Sequence, residues 1–182
     1  MVEKADYVYI WDPLVRCFHW SAGVLILSAY WFLEGGEKPH EWAGYALGAL
    51  VAVRVVWGFV GSVHARFVAF LPSPSRICKH LSEPTLDPRR GHNPLGGLMI
   101  LAMLVLMLLI VVSGWMQTTD RFWGEPRVER LHEYSADMLM CLAVVHVSAV
   151  LWIQRFSGVP LVRPMLSGWR KLPYKADNFE ER

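Results

Sequence analysis

Four long apolar stretches, separated by polar and charged segments, dominate the hydrophobic pattern of this chain. A helix needs about 20 mainly apolar residues to cross the roughly 30 Å hydrocarbon core of a bilayer. Helices are the expected state there, because unpaired backbone groups are not tolerated in lipid. The third stretch is long enough alone, whereas the first needs its flanking residues. We predict membrane-spanning helices over about residues 15–34, 40–61, 94–116 and 131–156.

The segments between these helices carry most of the charge and indicate an orientation. Thirteen of the eighteen Lys and Arg residues fall in three groups: Lys4 and Arg16 near the N-terminus, five in the long segment 62–93, and six from Arg155 through the tail 157–182. Only four fall in the other two connections. Positive residues accumulate on the cytoplasmic side of membrane proteins. The sequence therefore predicts an all-α, integral membrane four-helix bundle, forming a single domain over 1–182, with both termini cytoplasmic. A multi-pass protein of the bacterial inner membrane is expected.

The composition favours a membrane protein over a nucleic-acid-binding protein. Hydrophobic residues make up 54% of the chain and charged residues 19%, below the roughly 25% charged residues of an average soluble domain. The net charge of +2 gives no reason to expect nucleic-acid binding. None of the three cysteines belongs to a Cys-x-x-Cys-His motif, so covalent haem attachment is excluded, and we predict no disulfide.

Four of the seven histidines match in depth, two by two, within the predicted bundle. His132 and His146 are 14 residues apart, so their rings share one helix face about 21 Å apart along the axis. His19 lies near the cytoplasmic end of the first helix, and His40 lies at the outer end of the second. Depth therefore pairs His19 with His146 near the cytoplasm, and His40 with His132 near the outer surface.

Paired imidazoles at these depths predict two non-covalent haems b with bis-histidine ligation. A neutral imidazole binds iron through one nitrogen, while a hydrogen bond can fix the other. Two imidazoles fill both axial positions, which favours electron transfer over oxygen chemistry. The alternative is that His19, His40 and His132 are ordinary interfacial residues. His146, between Val145 and Val147, is harder to explain that way, because an ionisable residue inside a membrane helix usually has a function.

Three further residues are candidates for binding the haem propionates. Arg54 lies within an apolar run, 14 residues after His40, and its planar guanidinium suits a carboxylate; the alternative is that it reaches the headgroups. Arg16, one turn before His19, is explained equally well as a charge at the membrane surface. His92, just before the third helix, could hydrogen-bond a propionate or serve only as a helix-end residue.

These residues occur in motifs that resemble the prokaryotic di-haem cytochromes b of the cytochrome b561 family, which includes the b-type cytochrome subunit of nickel–iron hydrogenases. The matching runs, from about Val8 to Trp169, are WDPLVRCFHW, HEWAGYALGALVAVRVVWGFVG, GHNPLGGLMILAMLVL and the LHE…VVHV pattern of the fourth helix. The resemblance implies a four-helix bundle with two haems b ligated by His19, His40, His132 and His146, and it implies electron exchange with quinone.

Three functions follow as hypotheses. The first is transmembrane electron transfer between the quinone pool and a separate redox partner, such as a c-type cytochrome or the catalytic subunit of an oxidoreductase. The second is a stand-alone quinone oxidoreductase that takes electrons from a small anion such as superoxide at its outer surface. The basic residues there alternate with acidic ones, so a mixed solvated surface explains them equally well. The third is a haem-free membrane module.

Overall fold

The computed structural model describes residues 7–71, 75, 78 and 93–172. Four long helices and two short ones account for most of these residues, together with two three-residue strands. The helices are α1 (Pro13–Trp31), α2 (Lys38–Val60), α3 (Phe67–Phe70), α4 (Pro94–Gln117), α5 (Pro126–Ser157) and α6 (Val162–Ser167), and the strands are β1 (Tyr7–Tyr9) and β2 (Trp169–Lys171).

Each long helix begins with a proline in its first turn, where the missing N–H leaves no hydrogen bond unmade. Two of these helix starts are also capped by a side chain. Asp12 accepts a hydrogen bond from the Val15 N–H, and Asn93 accepts one from the Gly96 N–H. At its other end, α5 stops at Gly158, which adopts the left-handed conformation that glycine tolerates. Local chemistry thus fixes where the helices begin and end.

Three of the described helices, α2, α4 and α5, are long and apolar enough to cross a membrane. The chain is therefore a helical membrane protein. Helix α1, with 19 residues, is not among the three. It carries Arg16, His19 and several aromatic residues along its length, which dilute its apolar character.

The four long helices share one apolar core. Its buried residues come from every one of them: Ala22 of α1, Leu47 and Val51 of α2, Leu104 and Met107 of α4, and Leu139 of α5. Many other apolar side chains point outward instead, and only 6% of the most apolar window of α5 is buried. An outward apolar surface of this extent suits a lipid environment.

The helices do not approach one another equally. Helix α1 packs on α2, α2 on α4, and α4 most closely on α5, whereas the backbone of α5 stays further from α1 and α2. The gap between α5 and the α1–α2 pair is therefore the widest space between helices in the bundle.

The two ends of the described chain meet at one end of the bundle. Strands β1 and β2 pair in antiparallel fashion, with Val8 opposite Arg170. Beneath them, a second apolar cluster joins Ile10, Trp11 and Val15 to Ala65, in the segment after α2. The segments that were predicted to share the cytoplasmic side thus lie together, and part of them is folded rather than extended. Relative to the predicted bounds, α1 begins two residues earlier and α5 five residues earlier.

Candidate functional site

The structure brings the four histidines of the bundle together as two pairs. The ring centroids of His19 and His146 lie 6.3 Å apart, and those of His40 and His132 lie 6.1 Å apart. The first pair joins α1 to α5, and the second joins α2 to α5. Both pairs span the wider side of the bundle, where the backbones leave room between the helices.

This spacing is too long for a hydrogen bond between the two rings but suits two imidazoles that share one metal ion. A metal–imidazole bond is about 2 Å, and a ring nitrogen lies about 1.2 Å from the ring centre, so two imidazoles on opposite sides of one metal ion would have centroids about 6.4 Å apart. Within the described ranges, no cluster of three or more His, Cys, Asp or Glu residues could hold a metal ion. Two-ligand pairs of this kind suit a metal whose remaining ligands come from a macrocycle.

In the His40–His132 pair, a backbone carbonyl lies close to the Nδ1 atom of each ring. The Nδ1 atom of His132 lies 3.0 Å from the Ile110 carbonyl oxygen and 3.2 Å from the Ser113 hydroxyl. The Nδ1 atom of His40 lies 3.3 Å from the Leu33 carbonyl oxygen. When each Nδ1–H donates to its carbonyl, Nε2 carries the free lone pair. This is the usual support of a metal-binding histidine.

The His19–His146 pair has a different environment. The Nδ1 atom of His19 is buried and has no hydrogen-bond partner in the described part of the chain. Its ring makes an edge-on contact with Trp20, at 5.1 Å between centroids. A buried polar nitrogen without a partner is costly, so this ring is suited to a ligand that lies between α1 and α5.

Glycines beside two of the histidines leave space for a flat group. Gly23 follows His19 by one turn and Gly44 follows His40 by one turn, and a Cβ on either glycine would meet nothing within 4 Å. Gly48 is different, because a Cβ there would lie 2.9 Å from Val111 of α4. Gly48 therefore serves helix packing, whereas Gly23 and Gly44 border open space. The residues present thus fit a haem in size and in donor type.

Arg54, a predicted propionate ligand, is buried near the end of the bundle where the chain termini meet. It is only 4% exposed, its Nη2 donates to the Ala65 carbonyl oxygen at 3.2 Å, and its guanidinium lies over the Phe67 ring. The Nη1 atom is also buried, and among the described residues it has no hydrogen-bond partner. One donor of Arg54 is therefore available for an anionic group.

Asp12 anchors the same end of the bundle, a role that was not predicted, although an Asp directly before Pro13 and an apolar run is a helix-start signal. Its carboxylate accepts hydrogen bonds from the Val15 N–H at 2.9 Å, from the Trp57 indole at 3.1 Å and from the Ser62 hydroxyl. Burial alone would raise the pKa of Asp12, but these hydrogen bonds outweigh it and lower that pKa below its ordinary value of 3.8. Asp12 is therefore a carboxylate at neutral pH and a close counter-charge to Arg54.

Arg16, the second predicted propionate ligand, is turned towards the C-terminal segment. Its Nη1 donates to the Leu166 carbonyl oxygen at 2.6 Å, while its Nε is buried without a partner in the described residues. His92, the third candidate, lies outside the described residues. The structure therefore gives Arg16 a contact with the C-terminal segment, while haem-propionate binding stays a prediction for both Arg16 and His92.

Sequence reasoning missed a polar contact between α1 and α5. The Tyr30 hydroxyl donates a hydrogen bond to the Asp137 carboxylate at 2.7 Å. Asp137 is the innermost acidic residue of α5, five residues after His132. That position was the available signal, because an ionisable residue within a membrane helix usually has a partner or a function.

Comparison with known proteins finds similarity to membrane cytochromes b. A family model described as prokaryotic cytochrome b561 matches residues 10–168. The chain is 22% identical to a probable Ni/Fe-hydrogenase B-type cytochrome subunit of Rhodobacter capsulatus, with 98% of this chain and 86% of the relative covered. It is 25% identical to the subunit of the same name in Azotobacter vinelandii, over 93% of this chain and 90% of the relative. No solved structure matches the chain significantly.

Proposed function

The chain belongs to the prokaryotic cytochrome b561 family, and on that premise we propose that it carries electrons across the membrane through two haems b. A membrane cytochrome b with haem as its electron carrier is what family membership and the apolar helices support. The number of haems, their ligands and the redox partners are the parts that we propose. We further propose that quinone and a separate protein are the two partners.

The observation that carries this proposal is the spacing of the two imidazole pairs. We assign His19 and His146 to one haem and His40 and His132 to the other, because both centroid separations are close to the value for two axial ligands. When bound, haem supplies an iron atom that accepts and releases one electron. The chain's own residues hold the rings: the carbonyls of Leu33 and Ile110 orient the outer pair.

Four membrane crossings follow from a simple parity argument. The β1–β2 pairing keeps the start of α1 and the segment after α5 at one end of the bundle. If only α2, α4 and α5 crossed the membrane, these two segments would lie on opposite sides. We therefore propose that α1 crosses as well, with Arg16 close to the surface. The distribution of Lys and Arg then favours the cytoplasm for both termini and a multi-pass protein of the bacterial inner membrane.

We propose Arg54 as the main contact for a propionate of the inner haem. Its buried Nη1 has no partner in the described chain, and a carboxylate would supply one. Asp12 already balances part of the charge of Arg54, so the pair can remain buried whether or not the haem is bound. Arg16, through its buried Nε, and His92 are secondary candidates for the same role.

The second redox partner is proposed to be a separate protein. The relatives reported above are named as hydrogenase B-type cytochrome subunits, so the catalytic subunit of a hydrogenase is the proposed partner. A c-type cytochrome is the other protein that would complete the path. Direct use of superoxide has less support, because Lys38, one of the basic residues expected to attract such an anion, forms an ion pair with Glu41 at 2.8 Å.

Haem content per chain tests the proposal directly. Purified protein should contain two haems b with low-spin, bis-imidazole spectra. His146→Ala should lose about half of the pigment, whereas His64→Ala, outside the bundle pairs, should keep all of it. Two haems retained in His146→Ala, or pigment absent from the native protein, would refute the assignment.

A further inference from the structure

Ser113 of α4 lies fully buried beside a proposed haem ligand. Its Oγ atom is 3.2 Å from the Nδ1 atom of His132, and no part of Ser113 is exposed. Helix α4 is the helix that packs most closely on α5, so the two residues meet across the closest helix contact in the bundle. A buried hydroxyl is tolerated when its hydrogen bonds are made. The partners of Ser113 therefore decide how it acts on the imidazole ring.

The one proton of the Ser113 hydroxyl is already used within α4. Oγ lies 2.6 Å from the Leu109 carbonyl oxygen, four residues earlier, and donates its proton there, as serine commonly does in a helix. Only the lone pairs of Oγ are left to face Nδ1 of His132, and the Ile110 carbonyl oxygen faces the same nitrogen at 3.0 Å. Because two acceptors lie beside Nδ1, this nitrogen carries the ring proton, and Nε2 keeps the lone pair that can bind a metal.

The next residue, Gly114, lets the same turn of α4 touch the ring. A Cβ on Gly114 would lie 3.1 Å from Cε1 and 3.4 Å from Nδ1 of His132. The α4 backbone therefore passes against the edge of the imidazole, which leaves the ring little freedom to turn away from Ser113. The hydrogen bond and this close approach together hold one tautomer and one ring orientation.

Two of the other proposed ligands are held less firmly than His132. His40 has one backbone acceptor near Nδ1, at 3.3 Å, and the buried Nδ1 of His19 has no partner in the described part of the chain. An Nδ1–H that donates to an oxygen makes the opposite ring nitrogen a more basic ligand. A more basic ligand favours the oxidised, more positive iron and so lowers the midpoint potential, because hydrogen bonding around the axial ligand tunes a haem. Of these three rings, His132 has the strongest support.

We infer that Ser113 is a positioning residue that lowers the midpoint potential of the haem assigned to His40 and His132, an inference that rests on the proposed function. Ser113 acts through the His132 ring and not on the iron itself. It keeps the proton on Nδ1, gives that proton a second acceptor, and holds the ring in one orientation. The other haem is assigned to a different pair of imidazoles, so its potential does not depend on Ser113.

Redox titration of Ser113→Ala in the purified, haem-loaded protein tests this role. Both haems should be retained, and one midpoint potential should rise by about 28 mV, which corresponds to a roughly threefold change in the one-electron equilibrium. Ser157→Ala is the matched control, because Ser157 makes the same kind of hydrogen bond to a carbonyl four residues earlier, that of Ile153. It should change neither potential. Unchanged potentials in Ser113→Ala, or an equal shift in Ser157→Ala, would overturn the role of Ser113.

Two further variants assign the shift to one haem and decide the case in which Ser113→Ala loses haem. In His146→Ala, the remaining haem should show the same shift when Ser113→Ala is added, and no shift there would overturn the inference. If Ser113→Ala lost a haem, Ser113→Cys would decide, because it keeps the size of the side chain and weakens the acceptor. A raised potential in Ser113→Cys would support the role, whereas the native potential or loss of the haem would overturn it. Two haems retained in His146→Ala, or none, would instead refute the proposed haem assignment.

Discussion

Replacing Asp12 should destabilise the protein far more than replacing another helix-capping residue. Asp12→Ala removes the cap of α1, which costs about 1 kcal/mol in typical proteins. It also removes the acceptor of the Trp57 indole and of the Ser62 hydroxyl, each about 1 kcal/mol when the donor is half-buried. The expected loss in the free energy of unfolding is therefore about 3 kcal/mol.

Glu37 provides the matched control for this experiment. It is the N-cap residue of α2, but its side chain makes no capping hydrogen bond. Glu37→Ala should therefore change the free energy of unfolding by less than about 0.5 kcal/mol. The assay is denaturant unfolding of the purified, haem-loaded protein in detergent, followed by the Soret band. If Asp12→Ala proved as stable as Glu37→Ala, the assignment of Asp12 as an anchor for this end of the bundle would be wrong.

The remaining predictions concern pH, charge and space. Because the pKa of Asp12 is lowered on folding, its contribution to stability is present above pH 3.8 and is lost as the pH falls further; an acid-unfolding series should show this loss in the native protein and not in Asp12→Asn. Arg54→Leu should keep both haems but lower one midpoint potential by roughly 60 mV, a tenfold effect for one electron, because a cation near the reduced haem is lost. Redox titration measures the midpoint potentials, with Arg66→Leu as the control. An unchanged potential in Arg54→Leu would mean that Arg54 does not lie beside a haem. Gly44→Leu should fill the space beside His40 and remove about half of the pigment, whereas Gly35→Leu, also beside open space but in the α1–α2 turn, should remove none. Full pigment in Gly44→Leu would mean that no macrocycle lies there.

Features that depend only on residues close together along the chain could be predicted from the sequence. The apolar run of α4 has to be a helix in lipid, and its predicted start at residue 94 agrees with Pro94, because proline suits the first turn. The start of α5 at Pro126 was missed by five residues. Helical periodicity alone relates His132 to His146, since 14 residues return the ring to the same face. The pairing of histidines by depth needed only the order of the helices along the chain.

Contacts between distant residues were decided by the tertiary structure alone. The pairing of β1 with β2 joins Tyr7 to Lys171, and no local pattern specifies such a partner. The same is true of the hydrogen bonds from Ser62 and Trp57 to Asp12, and of Arg16, whose sequence position suggested a haem contact but whose Nη1 bonds to the Leu166 carbonyl. A helix face can be read from periodicity, but the partner opposite that face depends on how the whole chain packs.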